Sequence, residues 1–312
     1  MRRFITGLVL GVIVGALATL GVLRRETGTR MPEPVDSALP RELPRSEEEL
    51  TCFLDGHPYE VGFFAKNLDT GKTLERFADR PVCLASIVKA FCLAELFRQK
   101  HEGGVKLDQK IDVSGRGSVS LADAADLMIG QSDNAATQAL AERLGRENVN
   151  RIPALLHIES MSADILPEEG RFRQTLDKRI FGERIAEAGL PQHGTARGIP
   201  QYFELLINKE IISQAASADL LDFLSKHPKP FSDRYAGKYE FVGKGGNILW
   251  TRPPKHYSMM GWGLLLTKQS GDHIVLCVWG EWFPEDLPPA SQSEFLKYVT
   301  DSVVSLLERT VE

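Results

Sequence analysis

The sequence predicts an α/β (α+β) sandwich, with one antiparallel sheet built from both ends of the chain and an all-helical insertion between them. Three patterns carry that reading. Two strand-like segments open the body, a block of segments with helical periodicity fills its middle, and three more strand-like segments with a last amphipathic helix close it. No internal repeat is visible.

Taken in order, Ser46-Glu47-Glu48-Glu49 has the form of a capping box ahead of Leu50, Phe53 and Leu54, so a helix starts the domain. Residues 59–66 and 72–77, joined by Asp69-Thr70-Gly71, read as a β-hairpin. From Leu84 to Gln99 the apolar positions Ile87, Val88, Phe91, Cys92, Leu93, Leu96 and Phe97 are too many for one face, which predicts a helix buried on most sides. Helical periodicity recurs over 121–129, 134–144, 196–207 and 216–225. Strand patterns at 239–242, 261–267 and 273–279 follow, and an amphipathic helix over 291–307 ends the body.

The composition, 43% hydrophobic and 25% charged over 312 residues, excludes a disordered, collagenous or small disulfide-scaffold protein. The net charge is −5, and the body is more acidic still, because the first thirty residues hold five Arg and one Glu. Phosphate backbones are bound by basic patches that release counterions, so no nucleic-acid partner is expected. The seven His show no metal-ligand spacing, and neither do Cys52, Cys83, Cys92 and Cys277, so no metal is expected. Cys92 and Cys277 lie in apolar runs and read as buried free thiols; no disulfide pairing follows from the sequence.

Ahead of the body, Phe4 to Leu23 is an uncharged run of about 30 Å as a helix, one hydrocarbon core. It stops at Arg24-Arg25, which predicts an uncleaved membrane anchor within residues 1–30. The alternative is a cleaved signal peptide, since Ala16-Leu17-Ala18 is a small-x-small cleavage pattern. Gly7, Gly11 and Gly15 form overlapping G-x-x-x-G steps that would permit a weak anchor-mediated dimer. Residues 31–45, with Pro32, Pro34, Pro40 and Pro44, read as a tether to a domain over 46–312.

The first chemistry-bearing element is Ser86-Ile87-Val88-Lys89, at the start of the buried helix. A Lys three residues after a Ser stands on the same helix face within one turn. Serine is a poor nucleophile until a base takes its proton, and a Lys held among Val82, Leu84, Ile87 and Phe91 can have the depressed pKa of such a base. Alone, this spacing is a weak signal, and a cap serine beside a surface lysine is its ordinary reading. Two further elements follow in order: Ser132-Asp133-Asn134 at a loop-to-helix junction, and Lys244-Gly245-Gly246 at the end of a strand pattern.

Together the three resemble the penicillin-recognising serine hydrolases, the class A β-lactamases and their peptidase relatives. The flanks share the resemblance: Leu127-Met128-Ile129-Gly130-Gln131 before the second element, Gly194-Thr195-Ala196-Arg197 opening a later helix, then Leu205-Leu206 and Ile211-Ile212-Ser213. It covers roughly residues 59–307 and implies a β-lactamase/transpeptidase-like fold. It also implies that Ser86 is the nucleophile and Lys89 its proton partner, and that Ser132 relays the proton to the leaving nitrogen. Asn134 would hold the substrate amide, and Lys244 would steady the Ser132 hydroxyl and attract a carboxylate. Gly246 belongs to the strand that lines the substrate, and the N–H groups of Ser86 and Asn247 would form the oxyanion hole. No cofactor is implied.

The chain departs from that family at two places. Gly245 stands where the family usually has Thr or Ser, and a lost hydrogen bond to a charged group costs about 1.5–3 kcal/mol, so ordinary penicillins should bind less well unless Asn247 or Arg252 supplies the contact. The Glu-Pro-x-Leu-Asn pattern of the deacylating glutamate is absent, and counting from Ser132 places Glu168 at that distance, in a segment that also reads as an acidic surface turn. The expected function is therefore an exported serine hydrolase acting on a small β-lactam or peptidoglycan-derived substrate, with its body outside the cytoplasm. A D,D-peptidase or esterase on the same scaffold, or a slow-turnover β-lactam sensor, is the alternative.

Overall fold

The computed structural model describes residues 39–57, 59–158, 161, 163, 193–227, 237–250, 257–282 and 289–309. The anchor segment 4–23 and Glu168 lie outside the described residues. In chain order the elements are α1 (Glu47–Asp55), β1 (Glu60–Asn67), β2 (Thr73–Arg76), β3 (Val82–Cys83), a 3₁₀ turn (Ala85–Val88) and α2 (Lys89–His101). Then come β4 (Lys110–Val113), β5 (Gly117–Ser120), α3 (Leu121–Gly130), α4 (Asn134–Leu144), α5 (Arg146–Leu155) and β6 (His193–Gly194). The chain closes through α6 (Gly198–Ile207), α7 (Gln214–Ser225), β7 (Tyr239–Trp250), β8 (Tyr257–Lys268), β9 (His273–Trp282) and α8 (Pro289–Glu308).

The main sheet has the order β2-β1-β9-β8-β7, antiparallel throughout, so strands from both ends of the chain meet at the β1–β9 pair. Alternation along β9 divides the core in two. Ile274, Leu276 and Val278 face α1 and α8, in a cluster with Leu50, Leu54, Leu296, Val299 and Val303. Val275, Cys277 and Trp279 face the helical side, in a cluster with Phe91, Leu93, Tyr202 and Phe203. Helix α2 runs through that second core, and Phe91, Cys92, Leu93 and Leu96 are fully enclosed. Each such large side chain contributes about 1.5–3 kcal/mol by its burial.

Two expectations need correction in detail. The helix read over 84–99 begins as a 3₁₀ turn and becomes α-helical only at Lys89. At the first helix, Ser46 does cap Glu49 N–H at 3.2 Å, but the Glu49 carboxylate reaches back to the N–H of Arg45, so the reciprocal half of the box is displaced by one residue. Four short strands and α5 were not legible. Helix α5 is preceded by Gly145 at its N-cap, which has φ +86°, and buries only Val149, Ile152 and Pro153.

The body begins at Leu39. Residues 39–45 lie along α8: the Tyr298 hydroxyl donates to the Glu42 carbonyl at 3.1 Å, and Arg309 donates to that of Arg45 at 2.8 Å. Cys83, Cys92 and Cys277 are buried free thiols, and Cys52 is an exposed one. Among the described residues, no helix is long and apolar enough to cross a membrane, and no group of His, Cys, Asp and Glu is placed to hold a metal ion.

Candidate active site

Ser86 lies in the 3₁₀ turn and Lys89 is the first residue of α2. A 3₁₀ helix has three residues per turn, so side chains three apart eclipse, which places these two one above the other. The turn is fixed from three sides. Ile87 N–H bonds to the Leu84 carbonyl at 2.9 Å, β3 pairs with β6, and β7 presses against it from the sheet. Ala85 holds φ +44°, a left-handed conformation that a non-glycine residue keeps only where its surroundings impose it.

Strand β7 approaches closely enough to forbid a side chain at Gly246. A Cβ there would lie 2.7 Å from the Leu84 carbonyl oxygen and 2.8 Å from the Ser86 nitrogen, both backbone atoms. Only glycine allows the edge strand to bring its own backbone beside the Ser86 amide. Asn247 follows on the exposed side of that strand, paired with Met260 of β8.

Ser132 occupies the loop between α3 and α4, with φ +55°. The Leu127 carbonyl accepts from both Gln131 and Asp133 N–H, and Asp133 caps α4 by accepting from Ala136 N–H at 2.9 Å. Two buried lysines converge on the Ser132 hydroxyl. Lys89 Nζ donates to Ser132 Oγ at 3.1 Å, to the Ser132 carbonyl at 2.6 Å and to Asn134 Oδ1 at 2.7 Å. Lys244 Nζ donates to the same Oγ at 3.1 Å and to the Gly245 carbonyl at 2.8 Å.

A hydroxyl has two acceptor lone pairs and one proton. With both lone pairs of Ser132 Oγ taken by ammonium groups, its proton is left to donate outward. The two cations raise one another's cost. Burial lowers the Lys89 pKa to about 8, against the pull of the nearby Asp133 carboxylate. Burial, with Lys89 as a like-charged neighbour, lowers that of Lys244 to about 7. Neutral amine is thus within reach at the two positions from about pH 7 to 8, beside a hydroxyl to which each lysine can give a proton or from which it can take one.

The structure therefore brings together Ser86, Lys89, Ser132, Asn134, Lys244, Gly246 and Asn247 from the 3₁₀ turn, α2, the α3–α4 loop and β7. Glu168 is not among the described residues. Sequence reasoning missed Arg116, whose guanidinium bonds to Asp133 and Gln131 on either side of Ser132. The signal that could have found it is Gly115-Arg116-Gly117, a turn pattern that aims one cation.

Residues 45–248 match the model of a family described as the beta-lactamase enzyme family. No curated protein matches the sequence. Among solved structures, the chain is similar to a β-lactamase from Sphaerobacter thermophilus at 19% identity and TM-score 0.66, covering 84% of this chain and 96% of that one. It is also similar to PBP-A, at 18% identity and TM-score 0.67, over 86% of this chain and 100% of that one. A class A β-lactamase from Mycobacterium abscessus aligns at 17% identity and TM-score 0.66, over 84% and 99% of the two chains. At these identities the likenesses establish a shared fold.

Proposed function

The chain belongs to the beta-lactamase enzyme family, and from that premise we propose that it is an exported, class A-type serine hydrolase that opens the β-lactam amide through an acyl-enzyme on Ser86. The observation that carries this reading is the pair of buried lysines on the Ser132 hydroxyl, with their depressed pKa values, beside the 3₁₀ turn that presents Ser86. In the proposed reaction Lys89, as the free amine, takes the Ser86 proton while Oγ attacks the carbonyl carbon. The oxygen that becomes negative is met by the N–H groups of Ser86 and Asn247. Ser132 gives its proton to the leaving nitrogen and is reprotonated from the lysine pair. Water then cleaves the ester and regenerates Ser86. A variant of the similar protein PBP-A has been observed as an acyl-enzyme complex with penicillin G, which supports the same step here. Residues 4–23 would serve as a membrane anchor, and the β-lactam or peptidoglycan-directed chemistry of the proposed site supports a body outside the cytoplasm.

Gly245 and the missing glutamate pattern favour a second reading, a D,D-peptidase or esterase whose acyl-enzyme turns over slowly with β-lactams. One experiment separates them. With excess chromogenic cephalosporin the parent should show many turnovers, and Glu168→Gln should show a stoichiometric burst with deacylation slowed at least about 10²-fold, if Glu168 activates the water. A single burst from the parent would replace the lactamase with the peptidase-like or sensor-like reading. Equal turnover by both proteins would remove Glu168 as the base.

Gly246→Ala should cost about 10²- to 10³-fold in acylation, the usual effect of losing an oxyanion donor, because the added methyl meets only backbone and must push β7 off the 3₁₀ turn. A burst-rate measurement checks it. An unchanged rate would show that β7 does not contribute to the oxyanion site.

A further inference from the structure

We propose that Arg116 is a positioning residue for Ser132: from the β4–β5 turn it holds the side chains on both sides of that serine and so keeps the relay hydroxyl between the two lysines. This rests on the serine-hydrolase reading above. Arg116 Nη2 donates to Asp133 Oδ2 at 3.0 Å and to Gln131 Oε1 at 3.3 Å. Ser132, between those two residues, keeps φ +55° without being glycine. A backbone in that region needs its neighbours fixed, and here a single guanidinium nitrogen fixes both.

The turn is constructed to present this side chain. Gly115 and Gly117 have φ +74° and +76°, and Arg116 N–H bonds to the Val113 carbonyl at 2.9 Å. Strands β4 and β5 pair from Lys110↔Ser120 to Val113↔Gly117. Strand β5 runs straight into α3, whose first turn is closed by a reciprocal box between Ser120 and Asp123. Helix α3 ends at the Ser132 loop. The stretch from 110 to 134 therefore folds back on itself, and Arg116 closes the ring.

The contact also bears on Lys89. Among the described residues, the charged or titratable groups facing Lys89 are Asp133 at the start of α4, Lys244 of β7 and Cys92 on its own helix. Asp133 draws a proton onto Lys89, and the Arg116 guanidinium, paired with that carboxylate, offsets part of the pull. Without Arg116, Lys89 should hold its proton to higher pH.

The test uses the full chain with Arg116→Gln and Arg116→Lys. Acylation by a chromogenic cephalosporin is followed across pH, and Lys89 is titrated directly by ¹⁵N NMR of the lysine amines. Because the pair is partly exposed, acylation in Arg116→Gln should fall about two- to fivefold, with its ascending limb displaced to higher pH, and Arg116→Lys should recover both. A fall in rate with the limb in place and no recovery in Arg116→Lys would reduce Arg116 to a structural contact and overturn the proposal, as would no change at all. If the parent itself forms no acyl-enzyme, the serine-hydrolase reading fails and the NMR titration decides the positioning alone. Lys89 titrating higher in Arg116→Gln supports it, and an unmoved titration overturns it.

Discussion

Ser86→Ala should lower hydrolysis of a chromogenic cephalosporin by about 10⁶-fold, the scale on which other serine hydrolases lose turnover when the nucleophile is deleted. The lysine pair, Ser132 and the oxyanion donors would all remain, but with no oxygen to attack the carbonyl they can act only on water, which leaves a small residual rate. The substitution should be nearly silent for the fold. Ser86 is half-buried between the buried Leu84 and Ile87, and among the described residues its hydroxyl bonds to no protein group. The stability change should stay within about 0.5 kcal/mol. Mass spectrometry after exposure to penicillin G should show one adduct on the Ser86 peptide of the parent and none on that of the variant. An adduct that persists in Ser86→Ala, at any residue, would take the nucleophile assignment away from Ser86.

Much of the fold was legible because its strongest elements obey their own periodicity. The hairpin, α2, α3, α4 and the last helix have apolar positions at periods that survive without tertiary context, and strands from both chain ends do meet in one sheet. What could not be read is short, glycine-rich or conformationally imposed. The strand pattern ends at Val242, yet β7 continues to Trp250 because Gly243 and Gly246, poor strand formers in isolation, are what lets the strand lie against Leu264 on one side and the 3₁₀ turn on the other. The 3₁₀ turn reads as part of an α-helix because its apolar residues continue the pattern of α2; the left-handed Ala85 that opens the turn has no signature in residue type. At the site, the three motifs announced residue types and order. The convergence of both lysines on one hydroxyl is a property of the packing of α2, the α3–α4 loop and β7, and no local pattern contains it. Arg116 escaped for the same reason: its partners lie 15 and 17 residues away along the chain.

Lys89→Met should lower the acylation rate by about 10³- to 10⁴-fold, at the upper end of what losing a general base costs, and it should make the protein more stable. The two effects share one cause. Lys89 and Lys244 are both buried and both donate to Ser132 Oγ, so the fold carries two like charges where water would favour them separated. Because burial lowers the Lys89 pKa to about 8, the folded chain binds fewer protons there than the unfolded chain, whose lysines titrate near 10.4. Stability from this group therefore rises with pH between those values, and at lower pH the charged form is a cost. An apolar side chain of similar length removes that cost, so Lys89→Met should gain on the order of 1 kcal/mol at pH 6 and less at pH 9, read from denaturant midpoints. In the parent, acylation should climb as pH rises through the region of the two lysine pKa values, about 7 and about 8, because in the proposed reaction the neutral amine accepts the Ser86 proton. Removing the Lys89 charge takes away a repulsion that lowers Lys244, so in the variant Lys244 should keep its proton to higher pH while the limb due to Lys89 disappears. A variant that loses only tenfold and keeps the parental limb would move the role of base from Lys89 to Lys244.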